Sequence, residues 1–162
     1  MIYSKRQNCN VPVQITKENY SLRCFGEFTR YNVKDKNFPI GYVDLKDTKD
    51  GVRVEFIKNN YPQFYKGFGK IADQIEVEHC LARNLDSFEI TSEAALNSHA
   101  LHYKRGKRFK PDSINETVKN IIKNTPIGEN YHTEFLNRVQ MYMPKEMITR
   151  IIENVKKHPL LK

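Results

Sequence analysis

The sequence lacks tryptophan and has only three cysteines, Cys9, Cys24 and Cys80. No two of them have the Cys-x-x-Cys spacing of a zinc site or a redox pair, and their number is odd. His99 and His102 lie three residues apart, but a third metal ligand is missing beside them. We therefore expect a reduced, cytoplasmic environment for this protein, and we expect no bound metal.

Long apolar runs are also missing. No stretch approaches the length of about 18 apolar residues that a membrane-spanning helix needs, so we expect no membrane segment. The first residues, Met-Ile-Tyr-Ser-Lys-Arg, are not followed by an apolar core, so we expect no secretory signal either. These two absences favour a protein that has no membrane partner.

Acidic residues are fewer than basic ones. The 162 residues include 27 Lys and Arg against 19 Asp and Glu, which gives a net charge of +8 and a pI near 9.3. Such a balance suits a polyanionic ligand, and both nucleic acid and the phosphates of a coenzyme fit it. Hydrophobic residues make up only 39%, but nine Phe and nine Tyr provide large side chains for one buried core.

Three strands are predicted in the first part of the chain. Residues 20–32 carry many β-forming side chains and predict a strand with a bulge at Gly26. Residues 39–45 predict a second strand, and the alternation of polar and apolar residues over 52–57 predicts a third. An Asp-Gly pair at 50–51 indicates a hairpin turn between the last two. We expect these strands to form an antiparallel meander.

A helix, a strand and a second helix are predicted to follow. Residues 69–84 contain no proline and place apolar side chains along one broad face of a helix. Residues 87–91 predict a short strand parallel to the strand before that helix. The second helix is predicted to begin at Ser92 and Glu93 and to end before Gly106. The predicted fold class is α/β, with a mixed, mainly antiparallel central sheet flanked by helices.

The chain beyond residue 110 is predicted to be helical. A capping box at 113–116 begins one helix, residues 134–141 predict another, and Pro144 begins a third. The third helix has one apolar face, formed by Met147, Ile148, Ile151, Ile152 and Val155. We therefore divide the chain into a body of residues 1–110 and a helical C-terminal extension of residues 111–162. We expect the extension either to supply structure that is missing from a binding site of the body or to mediate homodimer formation.

Residues 65–70, called the glycine loop below, lie between the third strand and the first helix. Their sequence is Tyr-Lys-Gly-Phe-Gly-Lys. The two glycines permit positive φ angles and leave backbone N–H groups open to an anion, to which the helix N-terminus adds partial positive charge. The loop lacks the Gly-Lys-Ser/Thr end of a nucleotide P-loop and the third glycine of a dinucleotide fingerprint. It predicts a binding site for a pyrophosphate group.

Residues 62–70 resemble the coenzyme A-binding motif of the GNAT family of N-acetyltransferases, in which Arg/Gln-x-x-Gly-x-Gly/Ala follows a bulged strand. Residues 97–106 resemble the next motif of that family, in which an Asn opens a helix that ends in a Tyr. The two motifs occur in the family's order, and the resemblance covers residues 39–109. The sequence departs from the pattern at Phe64, which stands at the Arg/Gln position, and at Lys107, which stands where the family has Phe. It also has no room for the family's two helices between the first two strands.

The resemblance implies a GNAT-like fold and the transfer of an acetyl or other acyl group from acetyl-CoA to a primary amine. It implies that Tyr103 protonates the departing thiolate and that Glu55 is the general base, directly or through water. The residues implied to bind the coenzyme are Phe56, Ile57 and Lys58 for the pantetheine, Tyr65, Lys66, Gly67, Phe68, Gly69 and Lys70 for the pyrophosphate, and Asn97 near the pantetheine.

Simpler interpretations of the same residues stay open. Tyr103 is also typical of an aromatic residue that ends a helix and packs on a sheet, and Glu55 is also typical of a solvent-facing strand residue. The cations within 104–110 fit nucleic acid, since Tyr103 and Phe109 could stack on bases, but no helix-turn-helix, zinc or RNA-sheet signature accompanies them. The alternatives to an enzyme are an inactive coenzyme-binding or protein-interaction module and, less favoured, a nucleic-acid-binding protein.

Overall fold

The computed structural model describes residues 1–24, 26–85, 87–94, 99–111, 116–126 and 139–161. Its strands are β1 (Ile2–Ser4), β2 (Cys9–Val11), β3 (Gln14–Leu22), β4 (Gly26–Asp35), β5 (Phe38–Thr48), β6 (Gly51–Asn59), β7 (Tyr65–Lys66), β8 (Glu89–Ala94), β9 (Arg108–Phe109) and β10 (Val139–Tyr142). Its helices are α1 (Phe68–Ala82), α2 (His99–Arg105), α3 (Glu116–Asn124) and α4 (Lys145–Lys157).

Seven of these strands form the main sheet, in the order β3-β4-β5-β6-β8-β10-β9. Every neighbouring pair is antiparallel except β6 and β8, which are parallel. Strands β2, β1 and β7 form a separate antiparallel sheet. The predicted α/β class, with a mixed and mainly antiparallel sheet flanked by helices, is therefore confirmed.

The predicted meander is present as β4, β5 and β6, so the strands predicted over 39–45 and 52–57 are confirmed. The single strand predicted over 20–32 is wrong, because residues 20–22 end β3 and Gly26 begins β4. Gly26 has a φ of +84° and pairs with Leu22 across the turn. The sequence pattern did not show this turn, because β-forming residues flank it on both sides and it contains no Asn-Gly or Asp-Gly pair.

Helix α1 connects β6 to its parallel neighbour β8, as the sequence predicted. Parallel neighbours need such a crossover connection. The second helix was predicted to begin at Ser92, but residues 91–94 continue β8 and pair with 139–142, and α2 begins only at His99. The pairing partner lies far along the chain, so no local pattern around Ser92 could show it.

Residues beyond 110 contribute a strand as well as helices. The helix predicted over 134–141 is wrong at residues 139–141, which belong to β10, and residues 134–138 lie outside the described ones. The helix predicted from Pro144 is confirmed as α4, with Pro144 as its N-cap. The boundary near residue 110 stays a prediction, although β10 lies within the main sheet and α4 packs on the same core as α1.

Helix α1 is buried along most of its length, and its polar side chains are buried as well: Asp73, Gln74, Glu76, Glu78 and His79. Buried polar groups need hydrogen-bond partners, and α1 obtains several from the C-terminal residues. The carboxylate of Glu78 accepts the N–H of Leu160 (2.8 Å) and that of Leu161 (2.6 Å). Gln74 donates to the carbonyl of His158 (2.7 Å). These bonds hold the end of the chain against α1.

The core side of the sheet carries the described helices. Val54 and Ile90 pack in one buried cluster with residues of α1 and α4. Ser92 lies two residues after Ile90 and therefore on the same face of β8. Its direct partner on β10 is Met141, which is buried with Val118 and Ile122 of α3. Helices α1, α3 and α4 thus share one face of the sheet.

The opposite face of the sheet is open between β4 and β6. Arg30, Asp44 and Phe56 are direct neighbours across these strands on that face. Arg30 forms two hydrogen bonds to Asp44, both of 2.7 Å, and lies over the ring of Tyr42. The Phe56 side chain is 59% exposed, although its strand, β6, lies in the middle of the sheet. None of the described helices covers this face.

Candidate active site

The parallel strands β6 and β8 separate partway along their length. They pair over four positions, from Gly51 with Glu89 to Val54 with Ser92. Beyond this last pair, β6 continues to Asn59 beside β5, while β8 continues to Ala94 beside β10. The point of separation after Val54 and Ser92 is called the fork below. On the fork side, the backbone of residues 55–59 has no strand partner in the described part of the chain, so an extended ligand can pair with it.

A β-bulge explains why the strands separate. Leu45 pairs with Val54 and its neighbour Asp44 pairs with Phe56, so Glu55 is an extra residue on β6. An extra residue bends the bulged strand and increases its twist. The bulge lies immediately after the last β6–β8 pair, which is where a bend moves the rest of β6 away from β8. The bulge inferred for this strand from the family motif is present.

The glycine loop ends at the N-terminus of α1. Gly67 is the N-cap residue, with φ of +89°, and no side chain of the described residues caps the helix. The N–H of Lys70 bonds to the carbonyl of Gly67 (3.0 Å), whereas the N–H groups of Gly67, Phe68 and Gly69 have no partner among the described residues. A Cβ at position 67 would meet no atom of the described residues within 4 Å, so the described part of the chain leaves the space beside Gly67 open. Free N–H groups at a helix N-terminus favour an anion here.

The second glycine of the loop has a different neighbour. A Cβ at Gly69 would collide with the guanidinium of Arg105. This guanidinium donates a hydrogen bond to the Gly69 carbonyl and forms an ion pair with Asp73. The close contact attaches the end of α2 to the first turns of α1. It also places a positive charge beside the glycine loop, near the position that the sequence assigned to phosphates.

The other loop residues divide into buried and exposed ones. Tyr65 and Phe68 are buried, and the Tyr65 hydroxyl donates to Asp35 (3.1 Å), so only the backbone of these two residues is left for a ligand. Lys66 and Lys70 are exposed. The loop therefore has a fixed backbone between anchored side chains, flanked by two cations that are free to move toward an anion.

The residues of β6 beyond the fork have alternating environments. Glu55, at the bulge, is half-buried and forms an ion pair with Arg53. Phe56 and Lys58 are exposed, while Ile57 packs against the core. The structure thus places the implied base and the implied pantetheine-binding residues on a stretch of β6 that pairs with β5 on one side and has no described strand on the fork side.

Tyr103 lies in an aromatic stack. Its ring is parallel to that of Phe109 at 5.4 Å, and the Arg108 guanidinium is 4.8 Å from its centre. From α2 it packs on the buried cluster formed by residues of α3, β9 and β10. These contacts match the simpler interpretation of a packing aromatic, and its role as an acid stays a prediction. The other residue implied by the second motif, Asn97, lies outside the described residues.

Sequence reasoning missed Ser92. Its side chain is 5% exposed, and its Oγ has no hydrogen-bond partner in the described part of the chain. Its direct neighbours across the strands are Val54 and Met141, which are both apolar. An unpartnered buried hydroxyl costs about 1–3 kcal/mol. Ser92 was interpreted as the start of a helix, and this assignment concealed its place at the fork.

A buried ion pair connects the segment after α2 to the middle of α1. The ammonium of Lys107, which is 1% exposed, lies 2.9 Å from the carboxylate of Glu76 and 3.7 Å from that of Asp73. Burial raises the pKa of Glu76, and the Lys107 ammonium opposes that shift. Lys107 stands where the family motif has an aromatic residue. At this position the buried contact with α1 is therefore an ion pair and not an aromatic side chain.

Neither a metal site nor a membrane segment is found in the described ranges. These ranges contain no group of three or more His, Cys, Asp or Glu side chains arranged to hold a metal ion. No helix in them combines the length and apolar character needed to cross a membrane.

Comparison with known proteins identifies the fold. No protein-family model matches the sequence, and no curated protein matches it significantly. A Bacillus subtilis acetyltransferase in complex with CoA matches 82% of this chain and 98% of its own, with a TM-score of 0.53 and 15% identity. A Lactobacillus plantarum protein provisionally identified as an N-acetyltransferase matches 76% of this chain and 73% of its own, with a TM-score of 0.51 and 12% identity. The chain has the fold of the GNAT acetyltransferases, as its motifs predicted.

Proposed function

We propose that this protein is an N-acyltransferase that transfers an acetyl group from acetyl-CoA to a primary amine. The observation that carries the proposal is the presence of both the fork and the glycine loop around one strand and the helix that follows it. The fork offers a strand backbone with no described partner on one side, and the glycine loop offers N–H groups at a helix N-terminus that have no partner among the described residues. Coenzyme A matches both, because its pantetheine arm contains amides and its other end carries a pyrophosphate.

The pantetheine arm lies along β6 at Phe56, Ile57 and Lys58. Its amides take the place of the missing strand and pair with the backbone there. This orientation directs the thioester to the fork, where β6 and β8 meet. Asn97, which the family motif assigns to the same arm, is part of the proposal on the strength of the resemblance.

The pyrophosphate lies on the glycine loop. The N–H groups of Gly67, Phe68 and Gly69 donate to its oxygens, and the helix dipole adds to their effect. Lys66 and Lys70 supply flexible positive charge from either side, and the backbone of Tyr65 completes the loop. Arg105, held in place by Asp73, contributes a fixed positive charge behind these groups.

The reaction is a direct acyl transfer. The amine nitrogen attacks the thioester carbon, the C–N bond forms, and the C–S bond breaks with its electron pair on sulfur. Glu55 accepts the proton of the amine, directly or through a water molecule, from its position at the bulge. Tyr103 protonates the thiolate in this proposal, with its ring fixed by the stack on Phe109 and its hydroxyl as the reacting group.

The amine reaches the thioester from the open face of the sheet. The described helices lie on the other face, and the exposed Phe56 adjoins the fork on the open one. The ion pair of Arg30 and Asp44 lies beside Phe56 and lines the path of the amine with polar groups. No helix of the described part of the chain has to move for an amine to enter.

Calorimetric titration with acetyl-CoA tests the coenzyme site, using Gly67→Ala as the variant. Gly67 and Gly26 both have φ near +85°, at +89° and +84°, so an alanine imposes similar backbone strain at either position. Gly26→Ala lies in the β3–β4 turn, away from the glycine loop, and is the matched control. We expect Gly67→Ala to weaken acetyl-CoA binding at least tenfold and Gly26→Ala to leave it unchanged.

Two outcomes would contradict the proposal. One is equal affinity of wild type and folded Gly67→Ala for acetyl-CoA. The other is the absence of coenzyme binding together with tight, salt-dependent binding of a short single-stranded oligonucleotide, which would favour the nucleic-acid alternative. If the coenzyme binds, thiol release measured across a panel of primary amines distinguishes an active enzyme from an inactive coenzyme-binding module.

A further inference from the structure

Ser92 occupies a special position in the sheet. It forms the last pair between β6 and β8, opposite Val54, so it marks the base of the fork. On its other side it faces Met141 of β10. The row formed by these three residues is apolar except for the Ser92 hydroxyl. A small polar side chain in the middle of an apolar row does not improve packing, so packing does not account for it.

The Ser92 hydroxyl has an unused hydrogen-bonding capacity. The residue is 5% exposed, and Oγ has no hydrogen-bond donor or acceptor as partner among the described residues. A serine hydroxyl has one proton to donate and can rotate to direct it. The fork beside it is the place where β6 leaves β8, so a group that enters the fork from the open end of the strands arrives next to Ser92.

We propose that the Ser92 hydroxyl donates a hydrogen bond to the sulfur of coenzyme A, a role that rests on the proposed function. During transfer the amine nitrogen forms its bond to the acyl carbon, and the C–S bond breaks with its electron pair on sulfur. The amine proton goes to Glu55 or to water. Ser92 keeps its own proton and stabilises the negative charge on sulfur until solvent or another acid protonates the thiolate.

A hydrogen bond to the sulfur suits the chemistry of serine better than proton transfer by the serine itself. An aliphatic hydroxyl is a very weak acid, so it stabilises a thiolate by hydrogen bonding and does not ionise. Such a bond to a charged group is stronger than one to a neutral group. Its effect therefore grows as charge develops on sulfur, which raises the rate rather than the affinity for acetyl-CoA.

The test uses Ser92→Ala with Ser4→Ala as the matched control. Ser4 is also fully buried, at 0% exposed, and its hydroxyl also lacks a partner within the described ranges, but it lies in β1 of the small sheet. We expect Ser92→Ala to fold with an unchanged or higher Tm, because it removes an unpaired polar group. We expect its kcat to fall by about 10- to 100-fold with little change in KM for acetyl-CoA, the range typical of a hydrogen bond to a charged group. Ser4→Ala should leave kcat unchanged.

A binding measurement tests the contact without any turnover. Wild type should prefer coenzyme A over desulfo-coenzyme A, and this preference should increase with pH because the thiolate accepts a stronger hydrogen bond. In Ser92→Ala the preference and its pH dependence should disappear, while the affinity for desulfo-coenzyme A stays the same. A purely structural serine would change both affinities equally, and that result would overturn the inference, as would an unchanged kcat. Failure of the proposed function looks different: wild type would then bind neither compound, or it would bind coenzyme A and release no thiol from acetyl-CoA with any amine of the panel.

Discussion

Removal of the buried ammonium of Lys107 should destabilise the fold strongly. Lys107→Met keeps most of the side-chain volume but leaves the carboxylate of Glu76, which is 0% exposed, without its partner at 2.9 Å. Removing one partner of a buried ion pair costs about 3–5 kcal/mol. The free energy of unfolding of a typical domain is only about 5–15 kcal/mol, so this cost is a large part of it. For a chain of this size the Tm should fall by roughly 6–20 °C.

The effect of Lys107→Met should depend on pH. Burial raises the pKa of Glu76. Without Lys107, the smaller effect of the Arg105 charge is what still opposes that shift. The folded variant then binds a proton more tightly than the unfolded chain, in which a Glu has its ordinary pKa near 4.3. The folded state is therefore favoured by this proton below about pH 4.3, and the contribution is lost as the pH rises through the raised pKa. Lys107→Met should be closest to wild type at acidic pH and most destabilised at pH 8.

Urea denaturation between pH 5 and pH 8 measures these effects, together with the double variant Lys107→Met/Glu76→Gln. The double variant should recover part of the loss and show a flatter pH dependence, because no uncompensated charge is left at that pair. Lys119→Met, which breaks the exposed pair with Glu116, is the control and should leave the Tm unchanged. A Lys107→Met protein as stable as wild type at every pH would refute the reasoning.

Three further predictions concern single positions. Gly69→Ala should lower the Tm because its methyl group collides with the Arg105 guanidinium, and the additional change Arg105→Ala should reduce the loss; equal Tm values for Gly69→Ala and wild type would contradict the contact. Tyr103→Phe should reduce kcat by about 10²–10⁴-fold with unchanged coenzyme affinity if the hydroxyl is the acid, and an unchanged kcat would leave Tyr103 a packing residue. Cys80 should not react with a thiol reagent in the folded protein, since burial raises the pKa of its thiol to about 12, whereas the two exposed cysteines should react quickly; labelling of all three at one rate, followed by mass spectrometry, would be the contrary result.

Local patterns predicted the central part of the fold. The meander, helix α1, the parallel strand β8 and helix α4 each have a periodicity or a capping signal that a short window contains. Elements whose conformation depends on distant partners were missed. Residues 91–94 and 139–142 form strands because they pair with each other, and neither segment shows this by itself.

The site was predicted unevenly for the same reason. The glycine loop is a contiguous motif, so its position at the start of α1 followed from the sequence. The contact of Arg105 with Gly69, the stacking of Tyr103 on Phe109 and the position of Ser92 at the fork join residues that are separated in the chain or that lie on misassigned elements. Chemistry that depends on such contacts becomes visible only when the sheet order is known.

The insertion of β10 between β8 and β9 has a consequence for how the protein is made. Among the described strands, β9 pairs with β10 alone, and β8 has β10 as its second neighbour, so neither is fully paired until residues 139–142 have been synthesised. Until those residues leave the ribosome, β8 is an exposed edge that can pair with other chains. The strand that carries Ser92 is therefore completed only after residues 139–142 have been made, and a nascent chain that stops before them exposes an unpaired sheet edge.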